Sequence, residues 1–526
     1  MKTRSMAALT TILVVAPLAA VAPGPQAAAQ SRPGGSARSA ESTLVGGIDL
    51  DTVTIPELQT RMARGSLSSV RLTLAYLRRI KAVDPKINAV LHTSPTALGQ
   101  AVASDIRHRL GRTRGPLDGI PVLLKDNVNT RDMPTTAGSL ALAGKPPAAD
   151  AELVAKLRAG GAVILGKANL SEWANFRAAK PTSGWSAVGG QTHNPYVLDR
   201  NPCGSSAGSA AALAASLAQV AIGTETDGSI VCPAGMNAVV GLKPSLGVVS
   251  RSGVVPISAE QDTAGPMARN VIDTALTLSV LSGGDPAPGL AAAAARPGAL
   301  RGKRIGLWRL PVLGTEVDAL MTRTAERLRA AGAEIVEVDL PYQERLAELE
   351  FPALLSEFHR DIDAYLATRK GPRDLAELIE FNRAQPQEQT CFAGQELFEQ
   401  ALTAPPTTDP KYLAMRAELA NLSRRSIDEV MTERNLDAIA SPANPPAWTT
   451  DCGRGDNDVI PSSTPAAVAG YPSLSVPAGF VGELPVGLLL MAGNHQDADL
   501  LCLGAAVEHR LDGRRAPRYL PTLPTG

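Results

Sequence analysis

The stretch NPCGSSAGSAAALAASLAQVAIGTETDGSI, residues 201–230, contains two glycine- and serine-rich segments with an alanine-rich segment between them. The first of the two, residues 204–208, has the composition of a loop. The alanine-rich segment predicts a helix that Ser209 caps and that runs to about Ala218. The second glycine- and serine-rich segment, residues 224–229, follows an apolar run with the composition of a strand. The stretch is therefore predicted to fold as loop, helix, strand and loop.

The lengths of the predicted helix and strand determine where the two loops lie. A helix of about ten residues covers roughly 15 Å. A strand of about five residues, Gln219–Gly223, covers roughly 17 Å in the return direction. Because the two distances nearly cancel, Ser205 and Ser229 are expected to meet at one end of a sheet.

A serine hydroxyl is a weak nucleophile until a neighbouring base takes its proton. Histidine, the usual base, occurs six times. The nearest one, His193, lies in the turn-like segment QTHNP, and none forms a metal pattern such as HExxH. Lys125 ends the apolar strand Ile120–Leu124, where burial can supply the roughly 4.6 kcal/mol needed to lower its pKa from about 10.4 to near 7. The alternative is a surface lysine that follows a strand.

The composition limits the classes of function. The chain has 526 residues, of which 44% are hydrophobic and 19% charged, so it can form a large core. Its 51 basic and 51 acidic residues give a formal net charge of zero. This balance gives no electrostatic reason to expect nucleic acid or an anionic membrane as a partner. No motif predicts a cofactor or a metal ion.

The first 29 residues have the pattern of an export signal: basic residues, the apolar run 6–22 and a cleavage site that ends at Ala29. The apolar run is shorter than the roughly 20 residues of a membrane span and contains Pro17, although an uncleaved anchor is the alternative. Residues 30–45 are predicted to be a flexible spacer. The mature protein is expected in the periplasm or outside the cell, without membrane contact after cleavage.

Helix-like and strand-like patterns alternate along the rest of the chain. Ser68–Val83 has apolar residues at helical spacing and ends at an Asp-Pro pair, whereas GIPVLLKDN and AVILGKAN have strand patterns. This alternation indicates an α/β domain around a largely buried sheet. We predict a single domain over residues 46–526, in which residues 290–440 form a more variable helical region that could act as a lid.

The five cysteines allow at most two internal disulfides and leave one over. Cys391 and Cys452 lie in polar, loop-like surroundings and are the pair predicted to be bridged, if any pair is. Cys203 and Cys232 lie beside the two serine-rich segments, and Cys502 lies in an apolar, helix-like run. The alternative is that all five are free or buried thiols.

Five segments follow one another along the chain: GIPVLLKDN, TTAGS, GSSAGSAAALAAS, GTETDGSIVCPA and AGYPSLSVPAG. Together they resemble the amidase signature family over nearly the whole mature chain, and NPCGSS and QDTAGPMAR are especially similar to its peptide amidase branch. The resemblance implies one catalytic domain with an α/β three-layer fold, in which helices cover both faces of a large, mixed, mostly buried sheet. The sequence departs from the commoner family pattern Gly-Gly-Ser-Ser-Gly-Gly at Cys203 and Ala207.

The resemblance also implies a catalytic triad. Neutral Lys125 would accept a proton from Ser205, which takes one from Ser229 as Ser229 attacks an amide carbonyl. Ser205 is expected to follow a cis peptide bond from Gly204.

The nucleophile segment is expected to stabilise the negative charge that develops on the carbonyl oxygen. The donors would be the backbone N–H groups of Thr226, Asp227, Gly228 and Ser229. The expected activity is that of a secreted serine amidohydrolase that cleaves a carboxamide C–N bond, chiefly of C-terminal peptide amides. It would release ammonia through an acyl-enzyme on Ser229, without a cofactor or metal ion.

Several alternatives stay open. The protein could be a broad-specificity aryl or aliphatic amidase or esterase, or a secreted peptide-binding protein without turnover. An amidotransferase component that acts on glutamyl-tRNA shares the motifs, but the export signal argues against it.

A flexible linker and a phosphate loop are disfavoured for the glycine-rich segment, because Gly208 is followed by a helix pattern rather than by Lys-Ser/Thr. The acidic segment 451–458 lacks the EF-hand calcium spacing. The oligomeric state and the substrate side chain are not predicted.

Overall fold

The computed structural model of the chain describes residues 42–284, 298–391, 394–457 and 462–524. Residues 1–41, which hold the predicted signal peptide and most of the predicted spacer, lie outside the described part of the chain. The strand Leu44–Val45 pairs with Ile48–Asp49. The spacer predicted for residues 30–45 therefore ends before Leu44, because this backbone pairs with a neighbouring strand.

The strands, in chain order, are β1 Leu44–Val45, β2 Ile48–Asp49, β3 Val90–Thr93, β4 Pro121–Lys125, β5 Val163–Ala168, β6 Trp185–Ser186, β7 Gly190–Gln191, β8 Val220–Glu225, β9 Val240–Lys243, β10 Thr263–Ala268, β11 Arg304–Leu307, β12 Glu334–Glu337, β13 Ala438–Pro442, β14 Ser473–Val481 and β15 Leu484–Met491.

The α-helices are α1 Ile55–Ala63, α2 Ser69–Val83, α3 Ala97–Arg109, α4 Glu152–Ala159, α5 Ala207–Ala214, α6 Val231–Met236, α7 Val271–Ser282, α8 Thr315–Ala330, α9 Gln343–Leu366, α10 Leu375–Ala384, α11 Glu396–Thr403, α12 Pro410–Arg434, α13 Thr464–Ala469 and α14 Asp497–Leu511. Short 3-10 turns lie at Asp84–Lys86, Leu140–Leu142, Glu172–Asn175, Pro311–Leu313 and Pro386–Gln389.

Within the described residues, eleven strands form one sheet in the order β12-β11-β13-β15-β14-β9-β10-β8-β4-β5-β3. Four neighbouring pairs in this sheet are parallel: β11 with β12, β11 with β13, β4 with β5 and β4 with β8. The other neighbouring pairs are antiparallel. Every residue of β4, β5, β8, β9, β10, β13 and β15 is buried. The predicted α/β fold, with a large mixed and mostly buried sheet and helices around it, is confirmed.

The helix in the opening stretch differs from its prediction at both ends. It spans Ala207–Ala214 rather than the segment from Ser209 to about Ala218. The Ser209 hydroxyl does not cap the helix, because it donates a hydrogen bond to the carbonyl of Ile222 on β8 (3.0 Å). Ser209 thus attaches α5 to the neighbouring strand.

The predicted helical region contributes a second layer of apolar packing beside the main core. Side chains from α9, α10 and α11, among them Phe358 and Phe398, pack against Trp173 and Phe176. Trp173 and Phe176 belong to the segment that follows β5. The helical region therefore covers the end of the sheet where the predicted catalytic residues lie.

Candidate active site

Lys125 lies at the end of a fully buried strand. It is the last residue of β4, which runs parallel to β5 on one side and to β8 on the other. The apolar run before Lys125 packs into the main core, so the lysine side chain is also completely removed from solvent. Because β4 and β8 are parallel, the end of β8 lies beside Lys125.

The Lys125 amine contacts three oxygen atoms. Its Nζ lies 2.7 Å from Ser205 Oγ, 2.9 Å from Thr224 Oγ1 and 3.1 Å from the Thr224 carbonyl. A neutral amine has two N–H donors and one lone pair. Three contacts therefore satisfy a neutral amine when one hydroxyl donates to its lone pair. Asn127 Nδ2 donates to Thr224 Oγ1 (2.9 Å), which fixes the orientation of that threonine.

Burial determines the protonation of this amine. Removal from water lowers the pKa of Lys125 from 10.5 to about 7, although the carboxyl groups of Glu225 and Asp262 favour the charged form. The predicted burial of Lys125 is confirmed, and the alternative of an exposed lysine is wrong. Near neutral pH, a large fraction of Lys125 is a free base.

The loop before α5 places Ser205 next to Lys125. The Gly204–Ser205 peptide bond is cis, as the resemblance implied. A Cβ atom on Gly204 would lie 2.1 Å from Ser171 Oγ, so only glycine fits at this position. Cys203, which stands where the commoner pattern has glycine, has a φ of 57°, whereas Ala207 is helical.

The turn after β8 presents Ser229. Gly228 has a φ of 77°, in the left-handed region that favours glycine. The carboxylate of Glu225 accepts hydrogen bonds from the backbone N–H groups of Ile230 (2.6 Å) and Val231 (3.0 Å), which closes the turn. Ser206 N donates to the carbonyl of Ser229 (3.1 Å), so the two serine-rich loops are in direct contact.

Ser229 opens into a cavity of about 250 Å³. This inner cavity is lined by Ser229, by Gly204 from the first loop, and by Thr226, Asp227 and Gly228 from the second loop. Among the hydrogen bonds of the described residues, none uses the backbone N–H of Thr226, Asp227, Gly228 or Ser229. The expected oxyanion donors are thus grouped around one space that can hold a small acyl centre.

A second and larger space adjoins the inner cavity. This outer cleft has a volume of about 610 Å³, and both spaces share the lining residues Asn175, Phe176, Asp227 and Leu354. Most other side chains in its wall are apolar, and α9 contributes several of them. The cleft is therefore large enough for an extended acyl chain that reaches Ser229 through the inner cavity.

A buried ion pair supports a segment, residues 172–177, that lines both spaces. Trp173, Ala174 and Asn175 all have positive φ values, from 47° to 70°. Arg177 Nη1 lies 2.7 Å from Glu172 Oε1, and both side chains are almost completely buried. This pair links the two ends of the segment, and the Asn175 amide donates a hydrogen bond to Ser183 Oγ (2.8 Å).

Two disulfides are present in the structure. Cys391–Cys452 is the predicted pair, so that prediction is confirmed and the alternative of five free thiols is wrong. Cys203–Cys232 was not predicted, although both residues had been placed beside the serine-rich segments. It links the residue before Gly204 to α6, directly after the Ser229 turn. Cys502 is free.

Other site residues were missed because their partners are distant in sequence. Thr224 and Asn127 contact the lysine or its neighbours, and Glu350 of α9 meets Asp227. His193, the nearest histidine in sequence, lies within hydrogen-bond distance of the carbonyl of Leu198 (2.9 Å) and does not line the inner cavity.

Within residues 42–284, 298–391, 394–457 and 462–524, no cluster of three or more His, Cys, Asp or Glu side chains is arranged to hold a metal ion. Over the same ranges, no helix has both the length and the apolar character needed to cross a membrane.

Comparison with known proteins identifies the class. Residues 71–501 match the family model described as Amidase. The chain therefore belongs to the amidase family, and it is a hydrolase of the amidase signature type.

Within this family the chain is similar to peptide amidase. It shares 48% identity with the native peptide amidase of Stenotrophomonas maltophilia, with a TM-score of 0.84 over 89% of this chain and 99% of that one. A peptide amidase complex with the competitive inhibitor chymostatin also shares 48% identity, with a TM-score of 0.85 over the same shares. A glutamyl-tRNA(Gln) amidotransferase component from Chloroflexus aggregans is 36% identical over 485 residues, 88% of this chain and 97% of that protein.

Proposed function

We propose that this protein is an exported amidohydrolase that removes the C-terminal amide group of peptides. Ser229 is the nucleophile, Ser205 passes the proton and Lys125 is the base. The single observation that carries the proposal is the buried contact of 2.7 Å between Lys125 Nζ and Ser205 Oγ, beside the turn that presents Ser229.

The first half of the reaction forms an ester. Ser229 Oγ attacks the amide carbon while its proton moves to Ser205 Oγ, and the Ser205 proton moves to the neutral Lys125 amine. The carbonyl oxygen becomes negative and accepts hydrogen bonds from the backbone N–H groups of the turn. One such donor contributes about 3 kcal/mol in comparable sites. The proton returns through Ser205 to the amide nitrogen as the C–N bond breaks, and ammonia leaves.

The second half hydrolyses the ester. Water attacks the carbonyl carbon of the acyl-enzyme, and its proton follows the same path through Ser205 to Lys125. The bond to Ser229 Oγ breaks, the proton returns to that oxygen, and the carboxylic acid product is released and ionises. Lys125 is a free base again at the end, so the cycle needs no cofactor.

The shape of the site supports a peptide amide as the substrate. The inner cavity is small enough for a primary carboxamide, whereas the outer cleft offers apolar side chains such as Phe351 and Leu397 for the acyl part. The similarity to peptide amidase, which chymostatin inhibits in the solved complex, points in the same direction.

The experiment that tests this function measures hydrolysis of a substrate panel, as ammonia released from the primary amides and as the amine or phenol released from the other substrates. The panel contains N-acetylated dipeptide amides, a fatty amide, an aryl amide and an aryl ester, each with wild type and Ser229→Ala. Ser206→Ala is the matched control, because Ser206 lies in the same loop outside the proposed proton path. Turnover of the peptide amides that Ser229→Ala abolishes is expected. Faster turnover of the aryl or fatty substrates would favour the broad-specificity amidase or esterase.

The amidotransferase component is a second candidate, because a relative of that kind covers 88% of this chain. It would transfer ammonia to glutamyl-tRNA only with partner proteins. Efficient hydrolysis of a peptide amide by the isolated chain would exclude the amidotransferase role. Binding of the peptide amide without turnover would instead identify a peptide-binding protein.

A further inference from the structure

Two carboxyl groups meet in the wall between the inner cavity and the outer cleft. Asp227 of the nucleophile turn lines both spaces, and Glu350 of α9 lines the outer cleft. The two side chains lie close enough for each to perturb the titration of the other. Two buried carboxyl groups at close range cannot both ionise without a large cost, so the pair shares one proton. We call Asp227 and Glu350 the acidic pair.

Hydrogen bonds from both sides hold the acidic pair in place. Thr464 Oγ1 donates to Asp227 Oδ2 (2.6 Å), and Gln261 Nε2 donates to Glu350 Oε1 (2.8 Å). The Gln261 amide is itself oriented by Arg416, whose Nη1 donates to Gln261 Oε1 (2.6 Å). The position of each carboxyl group is therefore determined by neighbours on other elements.

The charges around the acidic pair leave one negative charge on it. Two cations face the pair, and each has a carboxylate of its own. Arg416 lies 3.5 Å from Glu357, and Lys243 interacts with Glu225. Burial raises the pKa of both carboxyl groups, and the raised pKa of Glu350 lies well above its usual range, so the pair holds one proton, mainly on Glu350. The charge then resides on Asp227, two residues before the nucleophile.

We propose that the acidic pair determines specificity by keeping a fixed negative charge beside Ser229, so that the site binds an uncharged carboxamide and rejects the corresponding carboxylate. The inference rests on the proposed function, because hydrolysis at Ser229 converts a neutral amide into an anion within the inner cavity. Repulsion between that anion and Asp227 favours release of the acid product and limits its inhibition of the enzyme. Glu350 acts as a positioning residue that holds Asp227 through the shared proton.

The test compares the binding of an amide and its acid without turnover. The probes are N-acetyl-phenylalanine amide and N-acetyl-phenylalanine, and isothermal calorimetry at low ionic strength gives Kd for each with Ser229→Ala protein. We expect the acid to bind roughly tenfold more weakly than the amide, which is the order of a single charge repulsion that solvent partly screens.

Two double variants separate charge from structure. Asp227→Asn keeps an oxygen for Thr464 but removes the charge, so the ratio of the two Kd values should fall close to one. Glu350→Gln keeps a donor for Asp227 and leaves its charge in place, so the ratio should stay as in Ser229→Ala. An unchanged ratio in the Asp227→Asn protein would overturn the proposal. An equal loss of discrimination in both variants would also overturn it, because it would show a structural rather than an electrostatic effect.

A separate assay distinguishes this inference from the proposed function. Wild-type protein that releases no ammonia from any peptide amide would refute the hydrolase activity. The Kd ratios of the Ser229→Ala proteins would still report on the acidic pair.

Discussion

Replacing Lys125 tests the chemistry of the site, because the role of this residue depends on its losing a proton. The change of its pKa from 10.5 to about 7 means that the site favours the neutral amine by about 5 kcal/mol more than water does. The neutral form is the active one, so kcat/KM should rise with pH through about 7 and then level off. Below that pH, each unit is expected to lower kcat/KM about tenfold.

The variants Lys125→Arg and Lys125→Met should both lose activity. Arginine keeps the charge but cannot give up its proton in this pH range. Methionine keeps much of the volume without a base. A fall in kcat of about 10²- to 10⁴-fold is expected for each, the range for loss of a general base. If Lys125 instead anchored a substrate carboxylate, Lys125→Arg would keep most of its kcat, and Lys125→Met would mainly raise KM.

The neighbouring carboxyl group of Asp262 provides an internal check on the assignment of the pH profile. Burial raises the pKa of Asp262 to about 6, which lies close to the pH at which Lys125 titrates. Asp262 favours the charged form of Lys125, so its removal should lower the pKa of the lysine further. In Asp262→Asn, the rising limb of kcat/KM should therefore move to lower pH. Disappearance of that limb would assign it to Asp262 and refute the account of Lys125.

Three further predictions concern the relay, the fold and the compartment. Ser205→Ala should lower kcat by about 10²- to 10⁴-fold in the ammonia assay, because the proton path to the lysine is interrupted; near wild-type kcat would remove Ser205 from the relay. The Cys203→Ala/Cys232→Ala variant should lose about 3–4 kcal/mol of unfolding free energy in denaturant titration, because the bridge closes a loop of 29 positions, whereas Cys502→Ala should change it little. Protein collected after export should begin at Gln30 by intact-mass measurement, and a retained leader would contradict the export proposal.

The sequence predicted the parts of the site that depend on local pattern. Lys125 follows five apolar residues, which indicates a buried strand end, and the glycine-rich segments indicate tight loops at Ser205 and Ser229. That pattern left a buried and a surface lysine as alternatives, and the family resemblance favoured the buried one. The order of the motifs predicted the mixed sheet and the cis peptide through the family resemblance.

The parts that were not predicted depend on contacts between distant segments. Glu350 lies in a charged helical segment that looks like a solvated surface in the sequence, yet the fold brings it against Asp227. Cys203 and Cys232 are 29 positions apart, and only the return of the chain through α5 and β8 brings them together. The start of α5 was misplaced because Ser209 has the pattern of a cap, whereas its hydroxyl satisfies a carbonyl on β8 instead.

The most direct test of the central claim is to locate the covalent adduct that the protein forms with a fluorophosphonate. Labelled protein is digested and the modified peptide is sequenced by mass spectrometry, with Ser206→Ala as a loop control. The account predicts one adduct, on Ser229, in wild type and in Ser206→Ala, and no adduct in Ser229→Ala. An adduct on another residue, or full labelling of Ser229→Ala, would contradict the claim that Ser229 is the nucleophile.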